Sequence, residues 1–133
     1  MTLRFAALAC VAALALSASP ASPAPQAETK VTVTLANFAF SPSTIALVHG
    51  RVYALELVNT AGGGHNFVAP KFFAAAQVAA ADRGHINGKG AIELDGGERV
   101  TIHFIAPAAG RFPVKCSHLF HSTFGMKGAI VVS

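Results

Sequence analysis

Along most of this chain apolar and polar residues alternate with a period of two. Val31, Val33 and Leu35 alternate with Thr32, Thr34 and Ala36, the pattern of a strand that buries one face. Residues 37–41 continue the alternation until Pro42 breaks it, and 45–48 predict a short strand closed by His49 and Gly50. Residues 51–59 predict another, with Val52, Ala54 and Glu56 facing away from Tyr53, Leu55 and Leu57. A Gly-rich turn over 60–64 follows, and strand pattern resumes at 66–69. Pro70 then opens an alanine-rich segment, 71–83, which carries Phe72, Phe73 and Val78 and is closed by Gly84. Proline at the first helical position and glycine just past the last predict one short helix there. Strand pattern returns at 91–94, 99–105, 112–116 and 128–132, with turns at 95–97 and 107–110. About seven or eight short strands with turns at roughly ten-residue spacing predict an all-β antiparallel sandwich or barrel of Greek-key type. Ten phenylalanines and no tryptophan are available to fill its core.

The start of the chain breaks this pattern. Residues 5–18 are an almost unbroken apolar run behind Arg4, followed by a small-residue and Pro-rich stretch, 19–27. A charged start, a short apolar run and a small-residue exit predict a secretory leader. Ser19-Pro20-Ala21 is the best cleavage site within 18–27, which gives a leader over 1–21, a flexible segment over 22–29 and one domain over 30–133. The run falls short of the roughly 20 apolar residues that span a membrane. Export to the periplasm is expected, without a transmembrane anchor. Cys10 has too little of the apolar run before it to be a lipidated cysteine.

Loss of the leader changes the cysteine count. Of two cysteines, Cys10 would leave and Cys116 would remain alone in an oxidising compartment. A single thiol there points to a reactive group, an intermolecular bridge or a metal ligand. The net charge of +4 comes from basic residues scattered singly, with no basic run and no ladder of aromatics, which argues against nucleic-acid binding. Arg111, Lys115 and Lys127 nonetheless stand close to the histidine-rich C-terminal segment, which suits an acidic partner.

That segment holds the candidate chemistry. Cys116, His118, His121 and Met126 fall within eleven residues between two predicted strands. Soft sulfur together with imidazole is the donor set that copper prefers, and two histidines, a cysteine and a weak axial methionine define a blue-copper electron-transfer site. His65, directly after the Gly-rich turn, is the candidate for the second histidine.

With these residues the sequence resembles the cupredoxins, the small blue type 1 copper proteins of the plastocyanin, azurin and pseudoazurin group. The resemblance rests on Gly64-His65-Asn66-Phe67, on residues 110–116 leading into the loop, and on the Cys-x4-His-x4-Met spacing before Lys127-Gly128. It implies one type 1 copper ion with His65, Cys116 and His121 as equatorial ligands and Met126 as axial ligand. It also implies that Asn66 fastens the two ligand-bearing segments with Ser117 as its hydrogen-bond partner, contacts that tune a metal site. Gly64 would be either a turn glycine or a distant carbonyl ligand. His118 stands where relatives commonly have no histidine, so it competes with His121 for the loop ligand; the family spacing favours His121.

His49, His85 and His103 read as structural or surface histidines. Glu93, Asp95 and Glu98 read as the solvated face of a hairpin. No arrangement of catalytic carboxylates or of nucleophile and base emerges, so the chain does not read as an enzyme. Two functions remain. One is an exported monomeric electron carrier that docks transiently on redox partners through Leu119, Phe120 and Phe124 around His121. The other is a copper-delivery module without redox turnover, which the extra imidazole of His118 suggests.

Overall fold

The computed structural model describes residues 19, 21–22 and 24–133 of the chain. The apolar run expected as a leader, Cys10 and Pro20 of the expected cleavage site lie outside these residues. Among the described residues the strands are β1 (Thr29–Ala36), β2 (Ala39–Ser41), β3 (Thr44–Leu47), β4 (Val52–Asn59), β5 (His65–Val68), β6 (Gln77–Val78), β7 (Ala91–Leu94), β8 (Arg99–Ile105), β9 (Gly110–Lys115) and β10 (Lys127–Val132). They form two five-stranded sheets, ordered β2-β1-β4-β8-β6 and β3-β10-β9-β5-β7. The all-β sandwich expected from the alternation is therefore present. The two strands beyond the expected count, β2 and β6, are three and two residues long.

Two pairings differ from a purely antiparallel arrangement: β1 runs parallel to β4, and β3 parallel to β10. The chain leaves β1 through the β2 hairpin, crosses to the other sheet as β3 and returns as β4, so β4 re-enters beside β1 in the same direction. Alternation of side chains reports a buried face but carries no information on strand direction, which the crossover decides.

The segment 71–83 is not one helix. It breaks into α1 (Pro70–Ala75), strand β6 and a 3-10 helix over Ala80–His85. Pro70 does occupy the first helical turn, as its ring geometry favours. Val78, however, stands six residues after Phe72, and at 3.6 residues per turn a continuous helix would rotate it roughly a third of a turn off the Phe72 face. Breaking the helix lets Phe72, Phe73 and Val78 all enter the core. It also pairs Gln77 and Val78 with the edge of β8, opposite Ile105 and Phe104.

The core lies between the sheets. Val33, Leu35, Leu57, Phe67, Phe72 and Ile102 have no exposed surface. Phe72 is its hub, with ring centroids 5.2 Å from Phe104, 5.6 Å from Phe73 and 5.6 Å from Phe112. The phenylalanines do not all serve it. Phe38, Phe120 and Phe124 are exposed, and they gather at one end of the molecule around His121. Aromatic content alone does not distinguish a core ring from one held at the surface.

β4 is central in its sheet and buries both faces. On its outer face Glu56 is covered by neighbours: Lys30 Nζ stands 3.0 Å from Oε2, Arg99 Nη1 stands 2.7 Å from Oε1, and Thr32 donates to Oε1 at 3.3 Å. Bonds from Lys30 and then Arg99 hold the Glu56 carboxyl below its ordinary value of 4.5. With the folded pKa lowered, the unfolded chain takes up this proton first as pH falls. The stabilisation is thus complete above 4.5 and is lost as pH falls through the folded value. Urea unfolding of the metal-free protein across pH should show this loss in the parent and a flatter dependence in Glu56→Gln. Parallel curves for the two proteins would contradict the account.

Candidate metal centre

The end of the sandwich where β5 begins and β9 finishes is shaped by turns that fix His65 before any metal is considered. Asn59, buried at the end of β4, donates through Nδ2 to the carbonyls of Gly63, Asp95 and Leu94 at 2.8, 2.9 and 3.2 Å. Its Oδ1 accepts the Ala61 N–H at 3.0 Å. One carboxamide thereby ties the Gly-rich turn to the turn after β7. The two turns touch so closely that a Cβ on Gly96 would stand 2.4 Å from the Gly62 carbonyl oxygen, so no larger residue fits there. β5 consequently starts at His65, with His65 opposite Leu94 and Asn66 opposite Glu93.

The second support is the neck of the loop between β9 and β10. The Cys116 N–H donates to the Met126 carbonyl at 3.1 Å, and the Met126 N–H donates to the His121 carbonyl at 3.0 Å. Lys115 and Lys127 pair directly below. The loop is thus closed by antiparallel bonds at its base and folded back on itself at its middle. The His121 N–H also reaches the His118 carbonyl at 3.1 Å.

These two supports bring three donors together. His65 Nδ1 and His121 Nδ1 are 3.0 Å apart, and Cys116 Sγ stands 3.5 Å from His121 Nδ1 and 3.9 Å from His65 Nδ1. Metal bonds of about 2.0–2.3 Å to imidazole and thiolate, at angles between tetrahedral and trigonal, require donors about 3.3–3.7 Å apart. The observed triangle brackets that range. His65 is 1 % exposed and Cys116 and Met126 are not exposed at all, whereas His121 is half-buried. Burial first, and then the neighbouring imidazoles of His121 and His118, lower the His65 pKa from its ordinary value. That keeps His65 uncharged at neutral pH, the form in which imidazole binds a metal. A buried soft sulfur with two imidazoles suits copper, and His65, Cys116, His121 and Met126 form a candidate site for one copper ion.

Asn66 and Ser117 are joined by two hydrogen bonds. Asn66 Oδ1 accepts the Ser117 N–H at 2.7 Å, and its Nδ2 donates to Ser117 Oγ at 2.8 Å. The Asn66 backbone N–H points at Cys116 Sγ at 3.5 Å. A Cβ on Gly64 would make ordinary van der Waals contact with Cε1 of His118 at 3.4 Å. His118 stays outside the donor triangle, with its Nε2 3.0 Å from Glu93 Oε2.

Glu93 escaped the sequence reading as part of a solvated hairpin. Its other oxygen accepts Asn66 Nδ2 at 2.7 Å, so one carboxylate braces both β5 and the loop. Burial works against its charge, but the bonds from Asn66 and His118 outweigh that and lower its pKa. The signal that finds Glu93 is its register opposite Asn66, which one-dimensional alternation does not contain. Of the other histidines, His49 bonds the Pro107 carbonyl at 2.9 Å and His103 bonds Asp82 at 2.8 Å. Both rings are hydrogen-bonded within the protein. Removing the Asn66 carboxamide leaves the Ser117 N–H without its partner, and such a loss costs about 1–3 kcal/mol. Asn66→Ala should therefore lower the unfolding free energy of the metal-free protein by about that amount, measured by denaturant titration.

A family profile for the cupredoxin-like domain matches residues 6–132. No curated sequence relative matches the chain. Among solved structures, it is similar to dithionite-reduced auracyanin from the photosynthetic bacterium Roseiflexus castenholzii, with 22 % identity, a TM-score of 0.60, and coverage of 79 % of this chain and 97 % of that one. Auracyanin A, a "blue" copper protein from Chloroflexus aurantiacus, gives 19 % identity and a TM-score of 0.58, covering 80 % and 100 %. A multicopper oxidase from Campylobacter jejuni gives 13 % identity and a TM-score of 0.59, covering 84 % of this chain and 31 % of the oxidase. At these identities the structural likeness is one of fold. The profile spans nearly the whole chain, and the chain belongs to the cupredoxin-like family.

Proposed function

We propose that this chain is an exported electron carrier holding one type 1 copper ion, which would supply a one-electron change between Cu(II) and Cu(I). The observation that carries this reading is the convergence of two imidazole Nδ1 atoms and one cysteine sulfur at 3.0–3.9 Å from one another. We assign His65, Cys116 and His121 as equatorial ligands and Met126 as the weak axial one. Asn66 aims its N–H at the sulfur, where a hydrogen bond to an anionic acceptor spreads the thiolate charge. Its side chain and Ser117 hold the two ligand-bearing segments in place, so that the donors need not move between oxidation states. Burial of His65, Cys116 and Met126 keeps water and small oxidants from the sulfur and leaves no room for a substrate beside them. That favours a carrier over an enzyme.

The half-buried His121 edge is the natural place for electrons to pass. Leu119, Phe120 and Phe124, exposed by 78, 60 and 65 %, surround it and offer an apolar contact to a transient partner. Small interfaces of this kind suit redox encounters. An acidic partner fits the adjoining outer sheet face, where a groove of about 430 Å³ with an apolar floor of Val68, Pro70 and Pro113 is rimmed by Lys71, Lys115 and Lys127. Lys115 and Lys127 face each other directly across the β9–β10 pair, an unfavourable like-charge arrangement that a partner carboxylate would relieve. The charged start and apolar run of residues 4–18 support a leader over 1–21 and export to the periplasm. Among the described residues no helix is long and apolar enough to cross a membrane. The copper-delivery alternative drew on a free imidazole at His118; its contact with Glu93 engages that ring away from the triangle and weighs for the carrier.

Titration with equimolar Cu(II), followed by visible and paramagnetic-resonance spectroscopy, tests this. The parent should develop intense thiolate-to-copper absorption, and Cys116→Ser should fold but stay uncoloured. A colourless parent, or a coloured Cys116→Ser, would sink the reading. The same titration separates the two loop histidines: His121→Ala should lose the colour or admit added imidazole, and His118→Ala should keep it. The reverse result would reassign the loop ligand to His118.

A further inference from the structure

Two non-glycine residues among the described ones have positive φ, Phe38 at 62° and Phe120 at 64°, and both are exposed phenylalanines beside the candidate metal centre. Left-handed backbone is unfavourable for a residue with a Cβ and uncommon for a bulky one, whereas glycine and asparagine tolerate it best. Phe38 is the second residue of the two-residue turn joining β1 to β2, across which Ala36 and Ala39 pair. Asn37, the residue type suited to such backbone, stands one position too early.

Burial does not account for placing a phenyl ring there, because Phe38 is 43 % exposed. Its contacts do. The ring centroid lies 5.2 Å from that of His121 with planes 82° apart, and 5.3 Å from that of Phe124. Phe124 in turn meets Phe120 at 6.3 Å, so both strained residues belong to one aromatic cluster. Strain that persists on the surface beside a functional group is usually maintained for what it positions.

We propose that Phe38 is a positioning residue that holds the His121 imidazole toward Cys116 and His65 and closes the half-exposed side of the centre to small ligands from solvent. Its strain is then the counterpart of that placement: the backbone is held in an unfavourable turn so that the ring reaches His121. Stability and site integrity should pull in opposite directions at this position. Holding the ring rests on geometry alone; exclusion of ligands rests on the copper reading above.

Phe38→Asn separates the two effects. In the metal-free protein it should melt at or above the parent temperature, because relief of the turn offsets loss of a half-exposed ring. Diethylpyrocarbonate should modify His121 in this variant about two- to tenfold faster than in the parent, the Boltzmann factor of one lost aromatic edge contact. Peptide mass mapping reads that rate, with His49 as the internal reference. Phe38→Tyr, which keeps the ring, should retain the parent rate. In the copper-loaded protein Phe38→Asn should change its visible spectrum on addition of imidazole, where the parent does not. An unchanged His121 rate in Phe38→Asn overturns the proposal whatever the melting temperature. If that variant fails to fold, Phe38→Leu carries the same comparison, since it keeps apolar bulk without the ring. A parent that binds no copper removes the carrier reading, and the metal-free rate still decides Phe38.

Discussion

β5 and β9 are hydrogen-bonded neighbours, yet their ladder contains a single register pair, Val68 with Lys115. Toward the metal centre, where Cys116 and His65 stand, the ladder ends. The Asn66 side chain takes over where the ladder stops. Its carboxamide accepts the Ser117 N–H and donates to Ser117 Oγ, while its own backbone N–H turns to Cys116 Sγ. One residue thus replaces strand pairing with a cross-link between segments 51 residues apart in sequence. A parted pair of strands with unsatisfied backbone groups would be unstable in this buried setting. The side chain removes that instability, and in the same geometry the Asn66 backbone N–H points at the cysteine sulfur.

The charges around the centre follow the same economy. Burial and then the neighbouring imidazoles lower the His65 pKa, which favours the uncharged ring. Glu93 is bonded into this network, and both its oxygens are committed, one to Asn66 and one to His118. Its role is therefore mechanical as well as electrostatic: it bonds the amide that braces Cys116 and restrains the loop that carries His121. On the opposite sheet Glu56 shows the ordinary structural use of a carboxylate, neutralised by Lys30 and Arg99.

Much of this was legible in one dimension because alternation and turn chemistry are local. The strands from Val33 to Ile130, the Gly-rich turn before His65 and the crowding of Cys116, His121 and Met126 all show in the residue order. What was not legible depends on register and direction. The parallel β1–β4 pairing follows from a crossover between sheets. The breakup of 71–83 follows from the need to bury Val78 and cover the β8 edge. Glu93 gains its role only because β7 places it opposite Asn66, and Asn59 only because two turns converge on its side chain. Phe38 looks like another core aromatic in a period-two run until its turn position and φ are known. Each missed residue acts across a tertiary contact.

The four candidate ligands are not held equally, and the inequality bears on how the centre works. Cys116 and Met126 are joined backbone to backbone at the loop neck, and His65 begins a strand paired on one edge along its full length. His121 stands alone in the middle of the loop, anchored by its own carbonyl and N–H and flanked by rings rather than by strands. It is also the half-buried member of the set. Rigidity and burial coincide at three donors, while exposure coincides with the fourth. On the proposed carrier reading an electron would leave through the His121 edge, away from the Cys116 sulfur that the sandwich buries. The loop needs no strand at that point if packing supplies the restraint, and the surface phenylalanines, two of them on strained backbone, are positioned to supply it.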